Sequence, residues 1–515
     1  MRRRISSMSY ESIEVISSLN SSMNNNNNNY NYHNKNKNST LKEDSKEEYK
    51  PIEKIDTYNI FINLIPNIFN QFMHFLQTII FSHYLGSVDD LTLLTSVNLG
   101  FTYNEIFFYF IGFGIVQGMA VFCPNSFSQK NYILIGIQTN LVRIILTLLF
   151  IFYSLITYFL GSYLYTILGV SIDTEFGMNA YHFSLYTLIG VYFEIHFEVY
   201  CKFCESQLFY KPIIHTLIVS IISNLICCYF LIYYFRLGLI GSILCKNIVD
   251  ILKFIWIHFS VLYYNPYPKS NFWFSKNYLN WEYFKEVLKI CFFSALVCYS
   301  EFIGFSFSKL FSVRLSELSF AIYVVMNNVY TFTYPISLGV NNTMTILVSY
   351  FYGLNEPQNL YLIIKLILFY STLLNIGLWS LFTLFRISLT RFFTESKEIY
   401  LSNQLFDFYI FSFITQIFDT LQNGVQGALR GLELLDFLSY LISPLFLICL
   451  PGSIYIFAFK LEYDVIGILL AEMFVYFMEF VVMLTYLNKV DVTQLCIEQE
   501  KKREKEEKIE MEEIN

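Results

Sequence analysis

Charge is scarce in this chain: Asp, Glu, Lys and Arg make up 15% of its 515 residues, against 55% hydrophobic, and the mean hydropathy is +0.45. So little polar surface cannot clothe a soluble globule, which leaves a membrane as the solvent. The two ends are the most densely charged parts of the chain but mix both signs, so the net charge of −7 identifies no partner, and a nucleic-acid ligand is excluded. The ten cysteines show no metal or disulfide pattern. Cys201 and Cys204 form a lone Cys-x-x-Cys without a second pair, which reads as buried small apolar residues. Histidine is sparse too. His74, His83, His182, His196, His215 and His258 are scattered singly, which speaks against a membrane-embedded enzyme built on a His/Asp pair or a His-rich metal centre. No cofactor is expected. The basic start at Met1 is not followed by an apolar stretch of the signal-peptide kind, so the first span is expected to insert the chain.

What the sequence has is long apolar runs, such as residues 144–170 and 439–459, each near the roughly 20 residues that cross a hydrocarbon core. Twelve spans are read at 58–82, 92–122, 131–160, 178–200, 212–235, 238–263, 284–309, 318–349, 360–385, 403–428, 436–459 and 464–487. The 54 Phe and 41 Tyr partly reflect lipid-facing and interfacial rings, and they accompany an abundance of Asn, Lys and Ile that points to nucleotide bias. Residues 1–55, with the tract Asn24 to Asn29, cannot bury a core and are expected to be a disordered tail. A second charged tail covers 488–515. The polar break at 265–283 divides the core into lobes at 56–264 and 284–487. Basic residues of the short loops fall on both sides. The charged tails, Arg2 to Arg4 among them, break the tie and place both ends in the cytosol. The fold expected is an all-α, multi-pass monomer.

The halves repeat. Pro66 and Phe293 (293 − 66 = 227), Asp90 and Glu317 (317 − 90 = 227), Lys202 and Arg430 (430 − 202 = 228), and Gly241 and Gly467 (467 − 241 = 226) share a nearly constant offset. That argues for a duplicated six-helix unit, a plan that many transporters use.

Several motifs then resemble the multidrug and toxic compound extrusion (MATE) family along nearly the whole membrane core. Gly114-Ile-Val-Gln-Gly-Met-Ala-Val-Phe-Cys123-Pro-Asn-Ser-Phe-Ser-Gln-Lys130 resembles that family's second-helix stretch. Lys202-Phe-Cys-Glu-Ser-Gln207 with Pro212 resembles its helix-four exit, and Leu237-Gly238-Leu-Ile-Gly241 its fifth-to-sixth turn. Leu338-Gly339-Val-Asn-Asn-Thr-Met-Thr, with Gly353 and Pro357, resembles the equivalent stretch of helix eight. Phe418-Asp419 and Gly427-Ala-Leu-Arg430-Gly431 are similar to helix ten and its exit. Ala120 stands where the family has Asp, Asn125 where it has Gln, Leu347 where it has Arg, and Ser349-Tyr350-Phe351 where it has Gly-Asn-Glu.

The resemblance implies two pseudo-symmetric six-helix lobes and proton-coupled antiport of small organic, often cationic, molecules by alternating access. Sodium is the other candidate coupling ion. It also implies that Glu301 of helix seven and Asp419 of helix ten face each other in the second lobe as the proton-coupling pair. A carboxylate out of water favours its neutral form, which suits such acids to take up and release a proton. Gln71, five residues after Pro66, either lines the cavity or makes an interhelical hydrogen bond. Glu105 and Glu194, with Glu198 one turn beyond, are candidates for a cation site in the first lobe, although Glu198 beside Lys202 also reads as an interfacial ion pair. Asn341 and Asn342 either seat a cation or close a helix contact. The same-superfamily alternative is a lipid or lipid-linked sugar flippase, which the sparse core Lys and Arg, chiefly Arg143 and Lys253, disfavour. Plasma and internal membranes are both compatible with the sequence.

Overall fold

Long helices carry nearly all of the computed structural model, which describes residues 57–88, 90–270, 281–393 and 403–501. The tail read at 1–55, residues 502–515 of the second tail and residues 271–280 of the inter-lobe break lie outside the described residues. Among those described, twelve helices are long: α1 (Thr57–Gly86), α2 (Thr92–Ser128), α3 (Tyr132–Ile167), α4 (175–206), α5 (Lys211–Tyr234), α6 (Gly238–Tyr264), α7 (Trp281–Ser312), α8 (Glu317–Gly353), α9 (Pro357–Leu384), α10 (Asn403–Gly431), α11 (Leu435–Lys460) and α12 (Asp464–Lys489). A continuous helix pairs its own backbone, which a bilayer demands of any spanning segment. The helices outrun the spans read from hydropathy, as with 175–206 against 178–200, because polar end residues extend them past the apolar stretch.

Local chemistry sets the ends. Asp90, Asn131, Thr174 and Ser316 cap α2, α3, α4 and α8, each side-chain oxygen accepting a backbone N–H three residues on. The turns repeat between the halves more faithfully than the residues do. Left-handed backbone recurs at Lys130 and Asn355 (355 − 130 = 225), Leu208 and Glu433 (433 − 208 = 225), and Arg236 and Glu462 (462 − 236 = 226). This register corrects two of the pairings read from sequence. Asp90 corresponds to the cap Ser316 (316 − 90 = 226), and Arg430 corresponds to Glu205 (430 − 205 = 225).

Within the first lobe α2 packs on α4 and α4 on α6; within the second, α8 packs on α10 and α10 on α12. The lobes meet where α2 crosses α7 and α1 crosses α8. Each crossing turns on a glycine, as close helix contacts in lipid require. A Cβ on Gly114 would lie 2.5 Å from the Cα of Ala295, and one on Gly339 would lie 2.8 Å from the backbone of Ile68. These two glycines share the turn register (339 − 114 = 225). Outside the lobes the surface is apolar: Leu148, Phe152, Leu155 and Phe159 of α3 are more than half exposed, as are Phe369 and Leu373 of α9. A face of that kind is at rest in lipid.

Candidate functional site

A cavity of about 280 Å³ lies between the lobes. From the first lobe it is lined by Asn70, Gln71, His74 and Thr78 of α1, Glu105 and Tyr109 of α2, and Glu198 of α4. From the second it is lined by Lys309 of α7, Tyr323, Tyr330 and Tyr334 of α8, Asp419 of α10, and Glu472 and Tyr476 of α12. Glu105 opens a short π-helical turn, Glu105–Tyr109, and such turns favour functional positions because they swing a side chain off the regular helical register. Across the lobes Phe110 stacks on Phe302 at 4.1 Å between ring centroids, and Phe75 meets Tyr334 edge-on at 5.8 Å.

The cavity lies away from the ends that carry the tails. On the tail side the lobes are bonded shut. Asn67 donates to Thr343 at 3.0 Å, Ser349 to the Val121 carbonyl at 2.5 Å, Asn125 to Glu433 at 3.0 Å, and Gln138 to Tyr283 at 2.9 Å. Beyond α12, a further helix at 492–501 adds a bond from Gln499 to Asn125 at 3.1 Å.

In the second lobe, a line of side-chain amides runs between the two acids singled out from the sequence. Gln426 donates to Glu301 through a short hydrogen bond, and Asn341 donates to Gln426 through another. Asn341 also reaches Asn423 Oδ1 at 3.1 Å, and Asn423 donates to Asp419 Oδ1 at 3.0 Å. Gln422 gives Asp419 a second side-chain donor at 3.3 Å. Glu301 and Asp419 are thus joined through three amides on α8 and α10. Asp419 also lines the cavity, whereas Glu301 is set behind it. Neither acid forms an ion pair with a described basic residue, and Arg430, within electrostatic reach of Glu301, turns its Nη2 to Cys298 Sγ at 3.4 Å.

The first lobe is arranged differently. Lys246 Nζ lies 2.8 Å from Glu194 and 3.1 Å from Asp250, and Lys253 Nζ lies 3.7 Å and 3.8 Å from the same two acids. Two acids and two lysines thereby compensate one another between α4 and α6, so Glu194 already has protein cations for partners. Glu105 and Glu198 line the cavity instead. The pairing read for Glu198 with Lys202 is not the one formed. Lys202 pairs with Glu205 at 2.7 Å, one turn on and fully buried, and Glu205 also accepts from Asn70 at 3.0 Å. Gln71 lines the cavity, and buried Asn342 has no partner for its Nδ2 among the described residues.

Sequence reasoning passed over Glu472 and Glu479 of α12 and the Lys246–Asp250 pair of α6. The signals were present: two acids seven residues apart in an apolar span, and an acid four residues after a lysine. Lys309 was missed because it lies near a helix end, where lysine is ordinary.

The MatE family profile matches residues 64–230 and 294–455, one stretch in each lobe. Among curated proteins nothing matches significantly. Solved structures share the fold. The eukaryotic MATE transporter AtDTX14 superposes with a TM-score of 0.77 at 16% identity, covering 87% of this chain and 98% of its own. A Pyrococcus furiosus transporter of the MOP superfamily, described as having a binding pocket of reverse polarity that suggests a different function, gives 0.72 at 15% identity over 85% and 96%. An outward-facing multidrug-resistance MATE transporter gives 0.73 at 14% identity over 85% and 96%.

Proposed function

The chain belongs to the MatE family of multi-pass membrane transporters, and from that premise we propose that it exports small organic cations in exchange for protons. The observation that carries this reading is the lining of the central cavity. Four carboxylates, Glu105, Glu198, Asp419 and Glu472, face one lysine, Lys309, among ten Phe and Tyr rings. Carboxylates and ring faces both attract an organic cation, and the rings also bury its apolar part. A cavity of this polarity repels the phosphate of a lipid or lipid-linked sugar, which sets the flippase reading second.

With both tails in the cytosol, the bonded side is cytosolic and the cavity faces outward, the state in which a cation leaves and a proton enters. Exchange follows from the position of Asp419, which touches both the cavity and the amide line to Glu301. A bound cation favours the ionised acids. A proton removes the negative charge that strengthens the bonds from Gln422, Asn423 or Gln426 and adds an O–H that needs an acceptor of its own, so the contacts of α7, α8 and α10 are remade. Cargo and proton thereby favour different packings of one lobe, and differential binding of this kind is what couples two ligands. Glu301 and Asp419 are the coupling acids in this reading, with Gln71 and Glu105 along the cation path and Asn341, beside Asn342, in the amide line between the two acids. Glu194, neutralised by its lysines, holds the first lobe's charge.

The test is transport in proteoliposomes loaded with a fluorescent organic cation. An inward proton gradient should drive efflux that collapses when the gradient is removed, and a fluorescent anion of similar size should stay. Gradient-independent movement of an anionic lipid, with no cation efflux, contradicts the proposal.

A further inference from the structure

We propose that Glu479 of α12 is a third proton-binding site in the second lobe, occupied by a proton in the conformation described above. Glu479 is fully buried (0% exposed), and neither of its carboxylate oxygens has a hydrogen-bond partner among the described residues. The charged groups facing it are Glu301 from α7 and Asp419 and Arg430 from α10, all within electrostatic reach and none in an ion pair with it. The other helices packed on α12 add none in their interiors. The charged residues of α8 and α11 are Glu317, Asp436 and Lys460, all at helix ends. Glu472, two turns before Glu479, faces the cavity.

Donor accounting separates the three acids. An ionised carboxylate accepts hydrogen bonds and gives none, so out of water it needs donors. Glu301 has one from Gln426, and Asp419 has two side-chain donors in Gln422 and Asn423, both on Oδ1, with its Oδ2 unpartnered among the described residues. Glu479 has none, which is an environment built for the neutral acid. Charge gives the same answer. Three ionised acids around the single guanidinium of Arg430 would leave two uncompensated negative charges inside the lobe, and a proton on Glu479 removes one of them. Passing that proton to Glu301 breaks an O–H bond on one carboxyl and forms one on the other, with the net charge of the lobe unchanged. Glu479 is therefore placed to hold a proton while the coupling acids are ionised and to yield it when they are remade. This second role rests on the antiport reading; the protonated site itself does not.

The site is tested on the full chain in lipid nanodiscs near neutral pH, without substrate. Dicyclohexylcarbodiimide adds to protonated carboxyls in apolar surroundings, and peptide mass spectrometry should find the adduct at Glu479 in excess of Glu301 and Asp419. The infrared carbonyl band of a protonated carboxylic acid should shrink in Glu479→Gln, a variant of the same size without a titratable group. Should Glu479→Gln not fold, Glu479→Met removes the same band. Adducts at Glu301 or Asp419 with none at Glu479, or a band unchanged in the variant, overturn the site. Neither readout depends on transport, so the site stands or falls separately from the antiport reading. In proteoliposomes the ratio of protons to cations exchanged should fall in Glu479→Gln, and an unchanged ratio overturns the exchangeable role.

Discussion

Asn341 of α8 donates its side-chain amide to Gln426 of α10, which in turn donates to Glu301 of α7, so one asparagine fixes three helices of the second lobe around a buried acid. Replacing it severs the line between cargo and proton sites without touching either acid. Asn341→Ala should leave cation binding within a few-fold of the parent while gradient-driven efflux falls at least about tenfold, because a lost buried hydrogen bond of about 1–3 kcal/mol is enough to unbalance two packings. Equal efflux under a gradient would show that the amide line is structural only.

The aromatic wall makes a separate prediction. Tyr334 stands beside Phe305 and Phe75 at ring separations of 5.7 and 5.8 Å and lines the cavity. A cation–π contact contributes roughly 0.5–2 kcal/mol, so Tyr334→Ala should weaken organic-cation binding by roughly 2- to 30-fold while Tyr334→Phe keeps most of it. Equilibrium titration with a fluorescent cation measures both.

The lysine pair of the first lobe is needed for stability. Lys253 is buried beside Glu194 and Asp250, and its removal leaves two acids with one lysine. Lys253→Met should cost about 3 kcal/mol in unfolding measurements, since a buried charge stripped of its partner is far costlier than an apolar replacement of the whole pair. Adding Glu194→Gln should recover part of the loss.

Gly339 sets the tail-side closure. A valine there cannot coexist with Ile68 at its present separation, so Gly339→Val should push α8 off α1 and break the Asn67–Thr343 bond beside it. Ser349→Cys, placed in the closed seam with exposed Cys449 removed, should react with a membrane-impermeant maleimide from the tail side faster in the valine variant. Unchanged labelling would mean that the seam is held elsewhere.

Much of this was legible in residue types. Glu301, isolated in a long apolar run, declares itself because lipid gives a charge no other reason to be there, whereas Asp419, in a helix rich in Thr, Gln and Asn, was marked by the family motif it matches. The same logic applied to Glu472 and Glu479 would have found them. The hydropathy signal itself is uneven for a physical reason. Among the described residues, seven helices are long and apolar enough to be recognised as spans on composition alone, and α1, α4, α6, α8 and α10 are not among them. Those five carry much of the amide and charge network that makes the site, so polarity lowers their hydropathy. The register of the repeat was read nearly right and then slipped by one to three residues. Its true markers are left-handed turns at Lys130, Leu208 and Arg236, conformations that no glycine announces. Partners of long side chains were the least legible. Lys202 has Glu198 and Glu205 within a turn on either side, and the tertiary donor Asn70, 135 positions from Glu205, helps fix the arrangement in which Glu205 takes it.

The central claim is that cargo at Asp419 and a proton in the second lobe displace one another, and proton release on cation binding measures this directly. Purified protein in nanodiscs, weakly buffered at a mildly acidic pH at which the coupling acids carry protons and read by a pH-sensitive dye, should release protons when a saturating organic cation is added, and Glu301→Gln and Asp419→Asn should each reduce the release while the fold is kept. Saturable cation binding with no proton release from the parent protein would contradict the account.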